Sequence, residues 1–129
     1  MERSVKPPPR TWLGKFADSF RGLFLAVLTQ SSFAAHIAVA LVAIAVAAWL
    51  GITPPEWCLM ALAIGLVIMA EVFNTSIEAL AKAVGTYPDE GIRDALDHAS
   101  GAVLVSVLTA IVVGLVVFGP RLWAVVAAT

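Results

Sequence analysis

Charge is scarce in this chain: Asp, Glu, Lys and Arg make up only 13% of its 129 residues, against about 25% in an ordinary soluble domain. Apolar residues fill 60% of it, which excludes a water-surfaced globule and implies a helix bundle solvated by lipid. A single cysteine, Cys58, leaves no internal disulfide and no cysteine-based metal site. It sits at the start of an apolar run, where a buried small hydrophobe is expected. The formal net charge of −1 leaves nothing to neutralise a phosphate backbone, so no nucleic-acid partner is expected. There is no Walker-type glycine loop to cradle phosphates. There is also no evident internal repeat of the kind that builds inverted-repeat transporters. The length allows one domain.

The few charges are unevenly placed. Five of the eight basic residues, Arg3, Lys6, Arg10, Lys15 and Arg21, lie in the first 21 positions. No apolar stretch follows the first charges closely, and Pro7-Pro8-Pro9 intervenes, so a signal peptide is not expected. Residues 1–10 read as a flexible, basic, polyproline-like cytoplasmic tail, and residues 11–129 as a single membrane domain. Residues 11–30 carry Trp12, Phe16, Phe20, Phe24 and Leu28 at four-residue spacing, with Lys15, Asp18, Ser19 and Arg21 on a more polar side. That is the pattern of an amphipathic helix lying in the membrane surface, with a helix packed on its own bundle as the alternative.

Three apolar spans follow, giving an all-α membrane protein with three transmembrane helices and an N-terminal amphipathic surface helix. They are expected at about 33–52, 57–84 and 99–118. Thr53-Pro54-Pro55-Glu56 reads as a turn between the first two, and residues 85–91 as a loop. A short helix over 92–97 is expected before the third span. Gly119-Pro120 should break that span, leaving a small hydrophobic tail over 121–129. With the N-terminus cytoplasmic, Lys82 and Arg93 join the five N-terminal cations on the inner side and only Arg121 is left outside, as the positive-inside rule prefers. Trp49, Trp57 and Trp123 then fall at the outer interface and Tyr87 at the inner.

The most informative feature is the stripe Glu71, Asn74, Thr75 and Glu78. Steps of three, four and seven return to one helix face. Carboxylates in or near hydrocarbon are costly unless they face protein, a cation or water, so they mark a functional site. His36 reads as a hydrogen-bonding residue rather than a metal ligand, and His98 as a solvated helix-start residue. Asp89, Glu90 and Asp94 read as loop solvation, with nucleotide contact by Glu90 as the alternative. Ala99, Ser100, Gly101 and Ala102 suit close helix packing.

Ala70-Glu71-Val72-Phe73-Asn74-Thr75-Ser76-Ile77-Glu78-Ala79 resembles the A-E-x-x-N-T-x-I-E-A signature of the bacterial diacylglycerol kinase and undecaprenol kinase family. Asp97-His98-Ala99-Ser100-Gly101-Ala102-Val103-Leu104 resembles its K-D-x-x-x-G-A-V-L segment, at a matching interval of 26 residues from Glu71 to Asp97. Phe20-Arg21-Gly22-Leu23, Phe33-Ala34-Ala35-His36 and Glu56-Trp57 echo further elements, so the likeness covers about residues 12–118. The resemblance implies a small three-span lipid kinase of the bacterial inner (cytoplasmic) membrane. Such an enzyme uses ATP with Mg2+, works as a homotrimer with sites between subunits, and phosphorylates the hydroxyl of diacylglycerol or undecaprenol.

On that resemblance Glu71, the carboxylate deepest in apolar helix, is the catalytic base. Glu78 binds Mg2+, and Asn74, Glu78 and Asp97 form the nucleotide site, with Glu90 and Arg93 as additional candidates. Gln30 stands where the family often has a second, glutamate metal ligand. Its amide oxygen can ligate Mg2+ but brings no charge. Leu96 replaces the lysine before the aspartate, removing a cation that would stabilise transferring phosphate; Arg93, one turn earlier, is a partial substitute. Ala35 replaces the family's arginine, and Lys82 replaces an acidic residue one turn after Glu78. These departures keep a second class of function open, a catalytically weak or silent membrane scaffold that retains the fold.

Overall fold

The structure, a computed structural model, describes residues 11–85 and 89–128; the basic tail expected over 1–10 and the inner-interface position expected for Tyr87 lie outside them. Four helices run in sequence: α1 (Trp12–Thr29), α2 (Ser31–Leu50), α3 (Pro54–Val84) and α4 (Glu90–Ala127). The last three are long and apolar enough to cross a membrane. At 1.5 Å per residue the 31 residues of α3 and 38 of α4 are roughly 46 and 57 Å long, well beyond the ~30 Å of hydrocarbon.

In α1 the aromatic stripe is not used to pack the bundle. Trp12, Phe16, Phe20 and Phe24 are all exposed, and Ala26 is the only buried residue of the helix. Thr11 caps it by accepting from the Gly14 N–H at 3.1 Å, and the Lys15 ammonium lies 4.4 Å from the Trp12 ring centroid. Within the chain the aromatic face of α1 is thus left uncovered, as a helix lying in a membrane surface requires.

Gln30 is the single residue between α1 and α2. Its extended backbone (φ −118°, ψ 117°) ends one helix, donating to the Ala26 carbonyl, and begins the next. At its far end α2 stops on Gly51 in the left-handed region (φ 61°). The Gly51 and Ile52 N–H groups donate to the carbonyls of Ala48 and Ala47, both at 3.3 Å, the reciprocal pattern of a Schellman cap. Ile52 is thereby turned back onto Ala47, where with Met60 and Val117 it forms the buried core at this end of the bundle.

Helix α3 begins earlier than the sequence pattern suggests. Pro54 and Pro55 occupy its first turn, where a missing N–H leaves no bond unmade and a fixed φ is already helical. Glu56 reaches back to Thr53, accepting from its N–H and its hydroxyl at 2.7 Å each. Cys58 is exposed rather than buried, because it falls on the face of α3 turned away from α2 and α4.

Helix α4 also departs from expectation. The short helix, the third span and the hydrophobic tail are one continuous helix, with Pro120 inside it. The Asp89 carboxylate starts it by accepting from the N–H groups of Gly91 and Ile92 at 2.8 and 3.3 Å. Pro120 has no N–H for the Val116 carbonyl one turn earlier, and the helix continues through it. Beside it, Arg121 Nη1 donates to the Val117 carbonyl at 3.0 Å. The same guanidinium forms a two-pronged pair with Glu56 at 2.6 and 2.7 Å, tying the start of α3 to α4 just past the proline. Helices α3 and α4 are the main packing pair.

Candidate active site

Within α3 the polar stripe divides. Glu71 turns toward α2 and is almost fully buried, with 2% of its surface exposed. The Ser32 hydroxyl donates to Glu71 Oε1, and His36 Nε2 lies 3.8 Å from Oε2. Ser32 and His36 are four residues apart on α2, so one face of that helix's first turns supplies both neighbours. A buried carboxylate needs such partners, and no buried side-chain polar atom among the described residues is left without one.

Asn74 and Glu78 turn instead toward α4. Asn74 Nδ2 donates to Glu78 Oε1 at 3.0 Å, which leaves Oε2 of the half-buried Glu78 for other partners. Between α3 and α4 lies a cavity of about 360 Å³ lined by Asn74, Glu78, Ala81, Lys82, Leu96, Asp97 and Ser100. The fold thus brings Asp97 opposite Asn74 and Glu78, the convergence that their separate sequence segments suggest. Gln30, Glu90 and Arg93 do not line this cavity. Gln30 is the backbone break between α1 and α2, Glu90 lies in the first turn of α4, and Arg93 is exposed on that helix.

Seven residues separate Glu71 from Glu78, roughly 10 Å along the helix axis. One carboxylate is thus enclosed against α2, while the other faces a polar cavity toward the end of α3 that carries Lys82. A second cavity, of about 240 Å³, runs between α2, α3 and α4 from His36 along a lining of apolar side chains to Phe118.

Residues 17–118 match the model of the family described as prokaryotic diacylglycerol kinase. This chain belongs to that family. It is 29% identical over 94 residues to the diacylglycerol kinase of Escherichia coli (strain K12), covering 73% of this chain and 77% of that protein. The undecaprenol kinase of Bacillus subtilis (strain 168) is also 29% identical, over 117 residues, with 88% and 95% covered. The two relatives carry different lipids in their names at equal identity, so the comparison does not separate the acceptors.

For this diacylglycerol kinase family member the donor set decides which metal would fit. Among the described residues no group of three or more His, Cys, Asp or Glu side chains could enclose an ion. Glu78 and Asp97 are hard oxygen donors at one cavity. That suits Mg2+, which keeps several waters and is held by one or two carboxylates together with phosphate oxygens. A dedicated all-protein cage is not what these residues build.

Ser32 is the residue of this site that sequence reasoning passed over. Its signal was present: a hydroxyl one helical turn before His36, at the start of an otherwise apolar span. Spacing within α3 could not reveal it, because the contact joins residues 39 positions apart.

Proposed function

We propose that this lipid kinase transfers the terminal phosphoryl group of ATP, carried with Mg2+, to the hydroxyl of a membrane lipid at the cytoplasmic interface. The observation that carries the reading is Glu71: an enclosed carboxylate that already accepts a hydrogen bond from an alcohol, the side chain of Ser32. That contact, O–H donating to carboxylate, is what general-base activation of a lipid alcohol requires. The acceptor's hydroxyl would donate to the same carboxylate while the serine holds it in place.

In the proposed reaction Glu71 removes the hydroxyl proton as the lipid oxygen forms its bond to the terminal phosphorus. The bond from that phosphorus to the bridging oxygen breaks and ADP departs. Asn74 and Asp97 orient the nucleotide across the cavity between α3 and α4. Glu78 would hold Mg2+, which would supply charge neutralisation at the phosphates. The spacing of roughly 10 Å between Glu71 and Glu78 supports this division of labour: the acceptor hydroxyl at one end, the phosphates entering from the other. His36 sits close enough to fix the rotamer of Glu71. Gln30, Glu90 and Arg93 act from outside the cavity, through contacts between subunits of the proposed homotrimer. The lysine and arginine bias supports a cytoplasmic N-terminus in a bacterial inner membrane, with the Glu56–Arg121 pair at the opposite face.

The experiment is phosphoryl transfer from radiolabelled ATP by the purified protein in lipid nanodiscs. Diacylglycerol and undecaprenol are assayed side by side, with and without Mg2+. Mg2+-dependent labelling of either lipid is the expected result. No transfer to either would favour the scaffold reading, for which Leu96 at the cavity wall is the specific observation.

A further inference from the structure

A site for polyphosphate needs positive charge, and the cavity between α3 and α4 has one source of it. Its lining includes the carboxylates Glu78 and Asp97 and a single cation, Lys82. Lys82 stands one turn beyond Glu78 on α3, on the same face. Leu96 and Ser100 form the opposing wall on α4 beside Asp97. Lys82 and Arg93 are both exposed, but only Lys82 lines the cavity. No ion pair within 4 Å joins Lys82 to an acidic side chain among the described residues. Its ammonium is therefore not committed to Glu78 or Asp97, although both share its cavity.

We propose that Lys82 is the phosphate-binding cation of this kinase, contacting the nucleotide's phosphate oxygens from α3 where α4 offers only Leu96. The proposal rests on the assignment of this cavity to MgATP given above. Its physical basis is charge balance. Without Lys82 the lining would present two carboxylates and no cation to a ligand that remains anionic with Mg2+ bound, and like charges at this range repel. An ammonium is a compact point charge with three rotatable donors, suited to phosphate oxygens that shift during transfer. Leu96 faces the same space from across the cavity, so a cation there would reach the same phosphates. Arg93 does not line this cavity.

The test uses the full-length protein in nanodiscs, with lipid phosphorylation and binding of a non-hydrolysable MgATP analogue both measured. Loss of a hydrogen bond to a charged group predicts that Lys82→Met raises KM for MgATP and the analogue Kd roughly ten- to a hundredfold. KM for the lipid should stay unchanged. Lys82→Arg should retain near-normal values, and Lys82→Met combined with Leu96→Lys should recover most of the loss, which a merely structural role for Lys82 would not allow. An active wild type whose KM for MgATP and analogue Kd are unmoved by Lys82→Met overturns the proposal and leaves the kinase reading standing. So does an active but impaired Lys82→Met protein that Leu96→Lys fails to restore. A wild type that neither transfers phosphate nor binds the analogue overturns both.

Discussion

Replacing Glu71 with glutamine separates chemistry from architecture at this site. The substitution preserves shape, and the Ser32 hydroxyl can still donate to the amide oxygen. What is lost in the fold is the difference between a hydrogen bond to a charged group, about 1.5–3 kcal/mol, and to a neutral one, about 0.5–1.5 kcal/mol. Removing an enclosed charge offsets part of that difference, so the net change in stability should stay within about 1–2 kcal/mol. The catalytic loss should be much larger. A positioned general base contributes roughly 10²–10⁴ in rate, or about 2.7–5.4 kcal/mol of barrier, and glutamine cannot accept the proton. Phosphoryl transfer at saturating MgATP and lipid would give kcat, and chromatography with thermal denaturation in detergent would report the folded oligomer. A kcat within about threefold of wild type, with the oligomer intact, would refute the assignment of Glu71 as the base.

Other outcomes follow from the same geometry. Ser32→Ala removes the donor that holds Glu71 and should lower kcat by roughly ten- to a hundredfold, less than Glu71→Gln, in the same transfer assay. Gly51 adopts φ 61° with nothing within 4 Å of a would-be Cβ. Gly51→Val should therefore destabilise through the backbone alone, by at least about 1 kcal/mol, with Gly51→Asn milder, as read by thermal unfolding. Arg121→Met breaks the clamp on Glu56, 15 residues and roughly 22 Å along α3 from Glu71. It should lower the unfolding temperature while leaving kcat and both KM values near wild type.

The membrane helices were readable because hydrocarbon demands long apolar runs, and α2, α3 and α4 supply them without ambiguity. Their ends were less readable. Pro54-Pro55 looked like a stop and is a start, because proline's missing N–H matters only where a partner awaits it. Gly119-Pro120 looked like a break and is passed over within α4, where Arg121, the next residue, is tied to Glu56 across the bundle. That tie joins residues 65 positions apart. The stripe Glu71, Asn74 and Glu78 was visible as a periodicity, but its division between α2 and α4 was not. Periodicity gives a face, whereas the partner of each side chain on that face is a property of packing. For the same reason Arg93 and Lys82 could not be told apart as cations until one was found at the cavity and the other outside it.

The bend at Gln30 ties two environments together on a very short tether. Ser32, which grips Glu71, is only two residues beyond that bend, and the helix before it displays its aromatic stripe outward. Whatever α1 rests on is therefore joined to the proposed base, Glu71, through almost no slack. A tilt of α1 in the headgroup layer would reach Ser32, and through it Glu71, across a single non-helical residue.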